Sequence, residues 1–264
     1  MIIVQEYKNK LIRRLISLLS KHLSYFETTH SIPVNSYSEK IEKIEQQKIY
    51  EEFLKINFKK FPNIVCPYLL SLLKVIYSDK SFNMLDYGAR NIDNYAYLNA
   101  HMAGLKYYYR DLPQNNEVIK NLKNKNSINN LVVVNEDTDI KNLQIDFVFM
   151  GSVLQYLKNY KEVLKSIFYS NPEYILLSGQ NCYENKISKY GANETIIYKQ
   201  LNVLPQVNYG LFFHLESLKK FFSQNGWIIE SISETNFDKF RNFKKIDKKV
   251  GYIKNLDLLF KRLS

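Results

Sequence analysis

Residues 82–90 read Phe82-Asn83-Met84-Leu85-Asp86-Tyr87-Gly88-Ala89-Arg90. A short apolar run ends on an acidic residue and a glycine turn. Such a run, bounded by a turn, reads as a strand buried on both faces, the kind found in parallel sheets covered by helices. The residues downstream continue the pattern. The spacing predicts a helix over Tyr95–Ala103, a strand over Leu105–Asp111, a helix over Asn115–Asn124 and a strand over Asn130–Asn135. A strand over Ile145–Gly151, a helical region over Ser152–Phe168 and a strand over Glu173–Gly179 follow. His214–Gly226 reads as a helix closed by Gly226. Trp227–Ser233 and Tyr252–Arg262 read as strands with no helix between them, hence an antiparallel hairpin at the sheet edge, spanned by the basic loop Asp238–Lys249. Repeated strand–helix alternation means an α/β, Rossmann-like sheet, mostly parallel, with helices on both faces and an antiparallel last strand.

Upstream of Phe82 the periodicity is helical. Leu11, Ile12, Leu15, Ile16, Leu18 and Leu19 recur at helical spacing among Lys8, Lys10, Arg13 and Arg14. Residues 36–56 form a second candidate helix, with Ser36 or Ser38 as cap, and residues 67–77 a third with Pro67 at its start. The chain therefore divides into an N-terminal helical cap, residues 1–80, and a sheet domain, residues 81–264.

The chain has 264 residues, 45% of them hydrophobic and 14% aromatic, enough for a sizeable core and too apolar for wholesale disorder. It lacks an apolar run long enough to span a bilayer, and Arg13 and Arg14 interrupt the N-terminal one, so neither a membrane span nor a signal peptide is expected. Cys66 and Cys182 are too few for a disulfide framework or a Cys-based zinc site, which points to the reducing cytoplasm. No metal constellation is apparent. The net charge of +11 suggests anionic partners. Lys, Asn, Ile and Tyr abound while Arg occurs only at 13, 14, 90, 110, 241 and 262, as a coding bias toward A/T-rich codons would give. Nucleic-acid binders favour Arg for bidentate contacts, so nucleic acid is not the expected partner. The basic amphipathic run 8–21 allows peripheral membrane contact without stable insertion. Nothing fixes the oligomeric state.

In doubly wound sheets, ligands bind beyond the carboxyl ends of the strands. Those ends carry Asp86, Gly88, Ala89 and Arg90; then Asp111 and Leu112; Asn135 and Glu136; Met150, Gly151 and Ser152; and Gln180, Asn181 and Tyr183. An acidic residue before a glycine turn suits an ammonium group. Asp111 suits the two hydroxyls of a ribose, since a carboxylate accepts both hydrogen bonds. Asn135 or Glu136 suits an adenine edge. Together these point to S-adenosylmethionine. A dinucleotide would require a phosphate-cradling G-x-G-x-x-G, and this loop holds one glycine. Each residue also has a plainer reading: Asp111 as turn chemistry before Leu112-Pro113, Asn135-Glu136-Asp137 as solvated loop. Their placement after successive strands is what joins them.

Asp146-Phe147-Val148-Phe149-Met150-Gly151-Ser152-Val153-Leu154-Gln155-Tyr156-Leu157 resembles the "D-v-v-l-x-S-G-V-L-Q-Y-L" segment of a family of bacterial methyltransferases from surface-polysaccharide gene clusters. Ser36-Tyr37-Ser38 resembles that family's N-terminal Gly-Tyr motif, Leu85-Asp86-Tyr87-Gly88 its "L-D-F-G-G", and Asp111-Leu112-Pro113 its "E-Q-P". Ile197-Tyr198-Lys199-Gln200, Asn208–His214 and Leu258–Arg262 resemble later segments, so the likeness spans about residues 36–264. The resemblance implies a class I S-adenosylmethionine-dependent methyltransferase, with S-adenosyl-L-homocysteine as product. Its implied acceptor is an oxygen of a sugar, or of a phosphorylated or phosphoramidate precursor of capsular polysaccharide: a small, nucleotide- or glycan-linked anionic substrate. One departure is Gly88-Ala89 for the family's Gly-Gly, and a later loop glycine is replaced near Asn91–Asp93. Side chains there would crowd the methionine part of the cofactor.

A hydroxyl acceptor benefits from a general base, whereas an ionised phosphate or phosphoramidate oxygen does not. The histidines are His22, His30, His101 and His214. His214 is the first choice of base, just before a helix; His101 is expected to point away. Tyr156, Gln180, Tyr183 and Tyr209 are candidates to line the acceptor pocket, with Arg90 pairing with the cofactor carboxylate or an anionic substrate. Tyr37 would close over the site from the cap. Asn171-Pro172-Glu173-Tyr174 is superficially like the N-P-P-Y of amino-methyltransferases. It precedes a strand instead of following one and reads as a turn. Two alternatives stand beside the main reading: methylation of RNA or another nucleic acid, and a catalytically silent Rossmann-like domain that binds a partner or a membrane surface.

Overall fold

The computed structural model describes residues 25–27, 68–78, 80–184, 195–203, 206–235 and 253–263. The expected helices at 11–19 and 36–56, Tyr37, His22, His30, Cys66 and the basic loop 238–249 lie outside the described residues.

The elements in order are β1 (Tyr25–Glu27), α1 (Leu69–Tyr77), β2 (Phe82–Tyr87), α2 (Asp93–His101), β3 (Leu105–Arg110), α3 (Pro113–Lys125), β4 (Leu131–Val134), α4 (Asp137–Ile140), β5 (Phe147–Gly151), a 3-10 turn (Leu154–Tyr156), α5 (Tyr160–Tyr169), β6 (Tyr174–Tyr183), β7 (Thr195–Val203), β8 (Gln206–His214), α6 (Leu215–Ser223), β9 (Trp227–Glu234) and β10 (Ile253–Arg262). All ten strands join one sheet. Its spine runs β4-β3-β2-β5-β6-β10-β9. β4, β3, β2, β5 and β6 are parallel, and β10 lies antiparallel to both β6 and β9. The antiparallel closing hairpin is where the sequence pattern put it.

The alternation of each strand sorts the core into two layers. On one face Met84, Leu105, Tyr107, Tyr109, Phe147 and Phe149 pack under α1, α2 and α3 through Leu69, Leu73, Tyr95, Leu98, Ile119 and Leu122. On the other, Leu85, Tyr108, Val148, Met150, Ile175, Leu177 and Phe260 pack under α4, α5 and α6 through Ile140, Val163, Ile167, Leu218 and Phe222. α1 had been assigned with the N-terminal cap. Its Leu69, Leu73 and Tyr77 belong to the sheet's own helical layer, and Tyr77 stacks on Phe82 at 4.4 Å.

Three differences from the sequence reading matter for the site. First, the helical region 152–168 is broken: Ser152 takes φ +55°, and Leu157 is extended, so a single 3-10 turn precedes α5. Second, β6 does not end at Gly179 but continues to Tyr183. A bulge lets it do so. Leu256 pairs with Gln180 and Leu258 with Leu177, so Ser178 and Gly179 together face Asp257. Gly179 supplies the positive φ, +68°, that such a bulge requires. Third, residues 195–214, to which the sequence pattern assigns no element ahead of the helix read from His214, form the hairpin β7–β8. Among the described residues it joins the spine through Cys182↔Phe213 and Tyr183↔His214, on the β5 side of β6 beyond the end of β5. From there β8 packs on the 3-10 turn, with Phe213 edge-on to Tyr160 at 5.2 Å. β1 pairs with the far side of β7.

Candidate functional site

Asp86 is the penultimate residue of β2, on the α2 side of the sheet, and is 1% exposed. Its Oδ2 accepts from the Tyr107 hydroxyl on β3 and from Asn94 Nδ2 at 2.9 Å. Burial raises its pKa to about 6, against the two hydrogen bonds that lower it. Asn94 Oδ1, also buried, has no hydrogen-bond donor. A buried carboxylate thus lies beside an orphaned acceptor, a combination that favours a cationic donor.

The following loop turns at Gly88, φ +74°, whose N–H donates to the Arg110 carbonyl at 2.8 Å. Ala89 and Ile92 are buried in the core layer under α2. The Gly-to-Ala departure therefore packs into protein at Ala89. Arg90 is exposed and left-handed, φ +57°. Its N–H donates to Asp111 Oδ2. Asp111 Oδ1 accepts from the Leu112 N–H at 2.6 Å and from Asn115 Nδ2 at 3.0 Å. Leu112 itself is the cap residue of α3.

At the end of β4 the structure redistributes the expected roles. Asn135 is exposed. Glu136 caps α4 through a reciprocal capping box with Asp139, so its carboxylate is already engaged. The neighbour that the sequence reading passed over is Asp137. Its Oδ1 accepts from Arg110 Nε at 2.8 Å and from the Tyr87 hydroxyl at 3.0 Å. Tyr87 and Arg110 are register partners at the ends of β2 and β3, so three strand ends converge on one carboxylate. The available signal was an acidic run placed opposite an Arg and a Tyr at matching strand positions.

At the end of β5, Met150 is wholly buried in the core and is not a ligand contact through its side chain. Gly151 and Ser152 are half-buried, and the Ser152 N–H donates to the Ser178 carbonyl at 2.8 Å. Gln180 and Tyr183 lie within β6, not in a loop after it, and both are buried. Gln180 Nε2 donates to the Ser178 carbonyl, and its Oε1 has no donor. Tyr183 faces the His214 ring at 5.3 Å, and burial pushes its phenol up to about 12. Tyr156 and Tyr209 are half-buried, Tyr209 against the core layer of α5 and α6.

His214 is 3% exposed. It is the cap of α6, where Nδ1 accepts from the Ser217 N–H at 3.3 Å and lies 2.8 Å from Ser217 Oγ. Nε2 stands 3.2 Å from the Glu184 carbonyl, to which it donates in that tautomer. Both ring nitrogens are engaged by the protein, and His214 holds a helix terminus. His101 is exposed on α2 with Nδ1 at 2.7 Å from the Tyr97 carbonyl. Among the described residues no cluster of His, Cys, Asp and Glu could hold a metal, and no helix is long and apolar enough to cross a membrane.

No protein-family model and no curated protein sequence matches the chain. Solved structures do. The Burkholderia thailandensis 1,6-didemethyltoxoflavin-N1-methyltransferase, crystallised with 1,6-didemethyltoxoflavin and S-adenosylhomocysteine, aligns with TM-score 0.52 and 12% identity, covering 91% of this chain and 95% of its own. The N-terminal domain of EvdMO1, crystallised with S-adenosylhomocysteine and D-fucose, aligns with TM-score 0.52 and 13% identity, covering 84% of this chain and 97% of its own. The chain has the Rossmann-like fold of the class I S-adenosylmethionine-dependent methyltransferases.

Proposed function

We propose that the chain is an S-adenosylmethionine-dependent methyltransferase whose acceptor is an oxygen of a sugar or of a phosphorylated or phosphoramidate saccharide precursor. The observation that carries this reading is the pair of carboxylates, Asp86 and Asp111, at the ends of adjacent parallel strands in a sheet of this order. The residues present fit the cofactor. Asp86 and the orphaned Asn94 Oδ1 offer two acceptors to its ammonium group. A carboxylate has about four lone-pair sites. Asp111 has three donors, from Arg90, Leu112 and Asn115, which leaves a site for one ribose hydroxyl; exchange of the Arg90 N–H would admit the second. Asp137, whose Oδ1 draws in Arg110 and Tyr87 from two neighbouring strand ends, joins Asn135 and Glu136 as a candidate partner for an adenine amino group. When bound, the cofactor supplies a methyl group activated by its sulfonium.

The chain's own contribution is positioning and exclusion of water. The turn at Gly151–Ser152 and the β7–β8 hairpin beyond it bound the acceptor side, with Tyr156 and Tyr209 half-buried there. Since His214 is engaged as a helix cap, an acceptor oxygen that is already ionised suits the site better than a neutral hydroxyl. The net charge of +11 and the exposed Arg90 favour such an anion. The resemblance of Asp146–Leu157 to enzymes of surface-polysaccharide clusters supports a saccharide, and D-fucose in the EvdMO1 crystals accords with it.

The test is calorimetric titration with S-adenosylhomocysteine and, separately, NADH. Micromolar binding of the first alone is expected, weakened at least about tenfold by Asp111→Ala, which corresponds to ~1.4 kcal/mol. Preference for NADH, or equal affinity in Asp111→Ala, overturns the reading. Binding of neither would leave a silent Rossmann-like domain.

A further inference from the structure

Beneath the Ser152 turn lies a closed circuit of side-chain hydrogen bonds. Gln155 Nε2 donates to the Ser152 carbonyl at 3.3 Å. Gln155 Oε1 accepts from Asn181 Nδ2 at 2.8 Å, and Asn181 Oδ1 accepts from Asn255 Nδ2 at 2.9 Å. Asn255 Nδ2 also reaches the Gly179 carbonyl at 2.9 Å, and that carbonyl accepts from Ser152 Oγ at 3.5 Å, which closes the circuit. Gln155, Asn181 and Asn255 are each 0% exposed. They come from the 3-10 turn, from β6 and from β10. The neighbours extend the circuit: the Gly179 N–H donates to Asp257 Oδ1 at 2.7 Å, the Thr235 hydroxyl to Asn255 Oδ1, and Asn181 Nδ2 reaches the Tyr198 hydroxyl of β7 at 3.5 Å.

A buried amide costs free energy unless its groups are paired, so a core holding three of them must gain something that leucines would not give. What they fix is Ser152, a non-glycine residue at φ +55°. A serine held in that region is strained and persists only where its surroundings over-determine it. The same side chains tie that turn to the hairpin, through Tyr198, and to the bulge, through Gly179. We propose that Gln155, Asn181 and Asn255 are positioning residues that hold the Ser152 turn in its binding conformation and link it to the β7–β8 hairpin. The inference rests on the methyltransferase reading, in which the Ser152 turn meets the cofactor.

Two isosteric acids test it. In Asn181→Asp the oxygen accepting from Asn255 is kept, but the donor to Gln155 survives only while the acid is protonated. In Gln155→Glu the donor to the Ser152 carbonyl behaves likewise. A buried carboxyl titrates above its usual range, so both variants are protonated at about pH 5.5 and largely ionised at about pH 8.5. Asp257 and Tyr198 face the circuit, Tyr183 and His214 flank it on β6 and β8, and Lys254 lies nearby between Glu184 and Glu234. All are shared with the unmodified chain, so the readout is the ratio of variant to unmodified dissociation constants for S-adenosylhomocysteine at each pH.

The expected ratio is within about twofold at the lower pH and at least about tenfold at the higher, with thermal melts showing folded protein at both. Gln155→Met, which keeps volume without either hydrogen bond or a buried charge, is expected to weaken binding about tenfold at both pH values. A ratio that stays near one in any folded variant at the higher pH, with only the melting temperature lowered, overturns the proposal and leaves the cofactor reading standing. Failure of the unmodified chain to bind S-adenosylhomocysteine overturns both.

Discussion

Gly88 and Val153 meet where the loop after β2 crosses the turn after β5: a Cβ on Gly88 would stand 2.3 Å from Val153 Cγ2. The glycine is therefore required twice, by its φ of +74° and by the close approach. Gly88→Ala combines a left-handed penalty with overpacking, for a loss of about 2–5 kcal/mol. Chemical denaturation should show this, and cofactor affinity should fall with it. A loss below about 1 kcal/mol would mean that loop and turn move apart freely.

Asp86 gives stability an uncommon pH dependence. The carboxyl titrates near 4 in an unfolded chain and at about 6 in the folded one. Between those values the folded protein holds a proton that the unfolded chain has released. The group's contribution is thus most favourable below about 4 and falls as pH rises to about 6, by about 3 kcal/mol in all. Asp86→Asn should melt higher than the unmodified protein at about pH 8 and lose that advantage near pH 4, while binding S-adenosylhomocysteine more weakly. Parallel melts at the two pH values check the sign; a variant less stable at both would refute it.

His214→Asn keeps a side-chain acceptor at the start of α6 and removes any imidazole base. Methyl transfer, measured as S-adenosylhomocysteine released with a saccharide phosphate acceptor, should stay within about threefold of the unmodified rate. A loss of 10²-fold or more, of the order general-base catalysis provides, would return His214 to the chemistry.

Asp137→Ala should weaken S-adenosylhomocysteine binding about tenfold and exceed the effect of Asn135→Ala or Glu136→Ala. Glu136→Ala removes a helix cap, so its signature is about 1 kcal/mol of stability with little change in affinity. Titrations of the three variants separate the assignments directly.

The spine of the sheet was legible because its strands carry continuous apolar runs and its turns carry Gly88, Gly226 and the Asp residues that end strands. The hairpin was not. Ile196, Tyr198, Leu211 and Phe213 do show strand composition, but no strand–helix alternation frames that region, and nothing local marks a strand that, among the described residues, joins the spine through two register pairs. The extension of β6 was hidden for a different reason: Gly179 reads as a strand end, and only the facing Asp257 on β10, far along the chain, turns it into a bulge. Within the candidate site, the placement of Asp86 and Asp111 near strand ends was legible from strand-end logic. Asp137 depended on the register of Tyr87 with Arg110, which is a long-range fact. His214 was ambiguous because its position before a helix suits a cap as well as a base, and the distances to Ser217 and Glu184 show the cap.

The slender attachment of the hairpin has an evolutionary reading. Among the described residues, Cys182 and Tyr183 alone tie the hairpin to the spine, through Phe213 and His214, while the other side of β7 is paired with Tyr25–Glu27. The hairpin, which the proposed function sets beside the acceptor, is thus a cassette built from two distant pieces of chain, hung on the end of one spine strand. Related chains could exchange acceptor preference by replacing this cassette while leaving the carboxylate-bearing half of the sheet untouched. A functional chimera would have to carry both pieces, the short N-terminal strand together with the hairpin, because a graft of residues 195–214 alone would arrive with an unpaired edge.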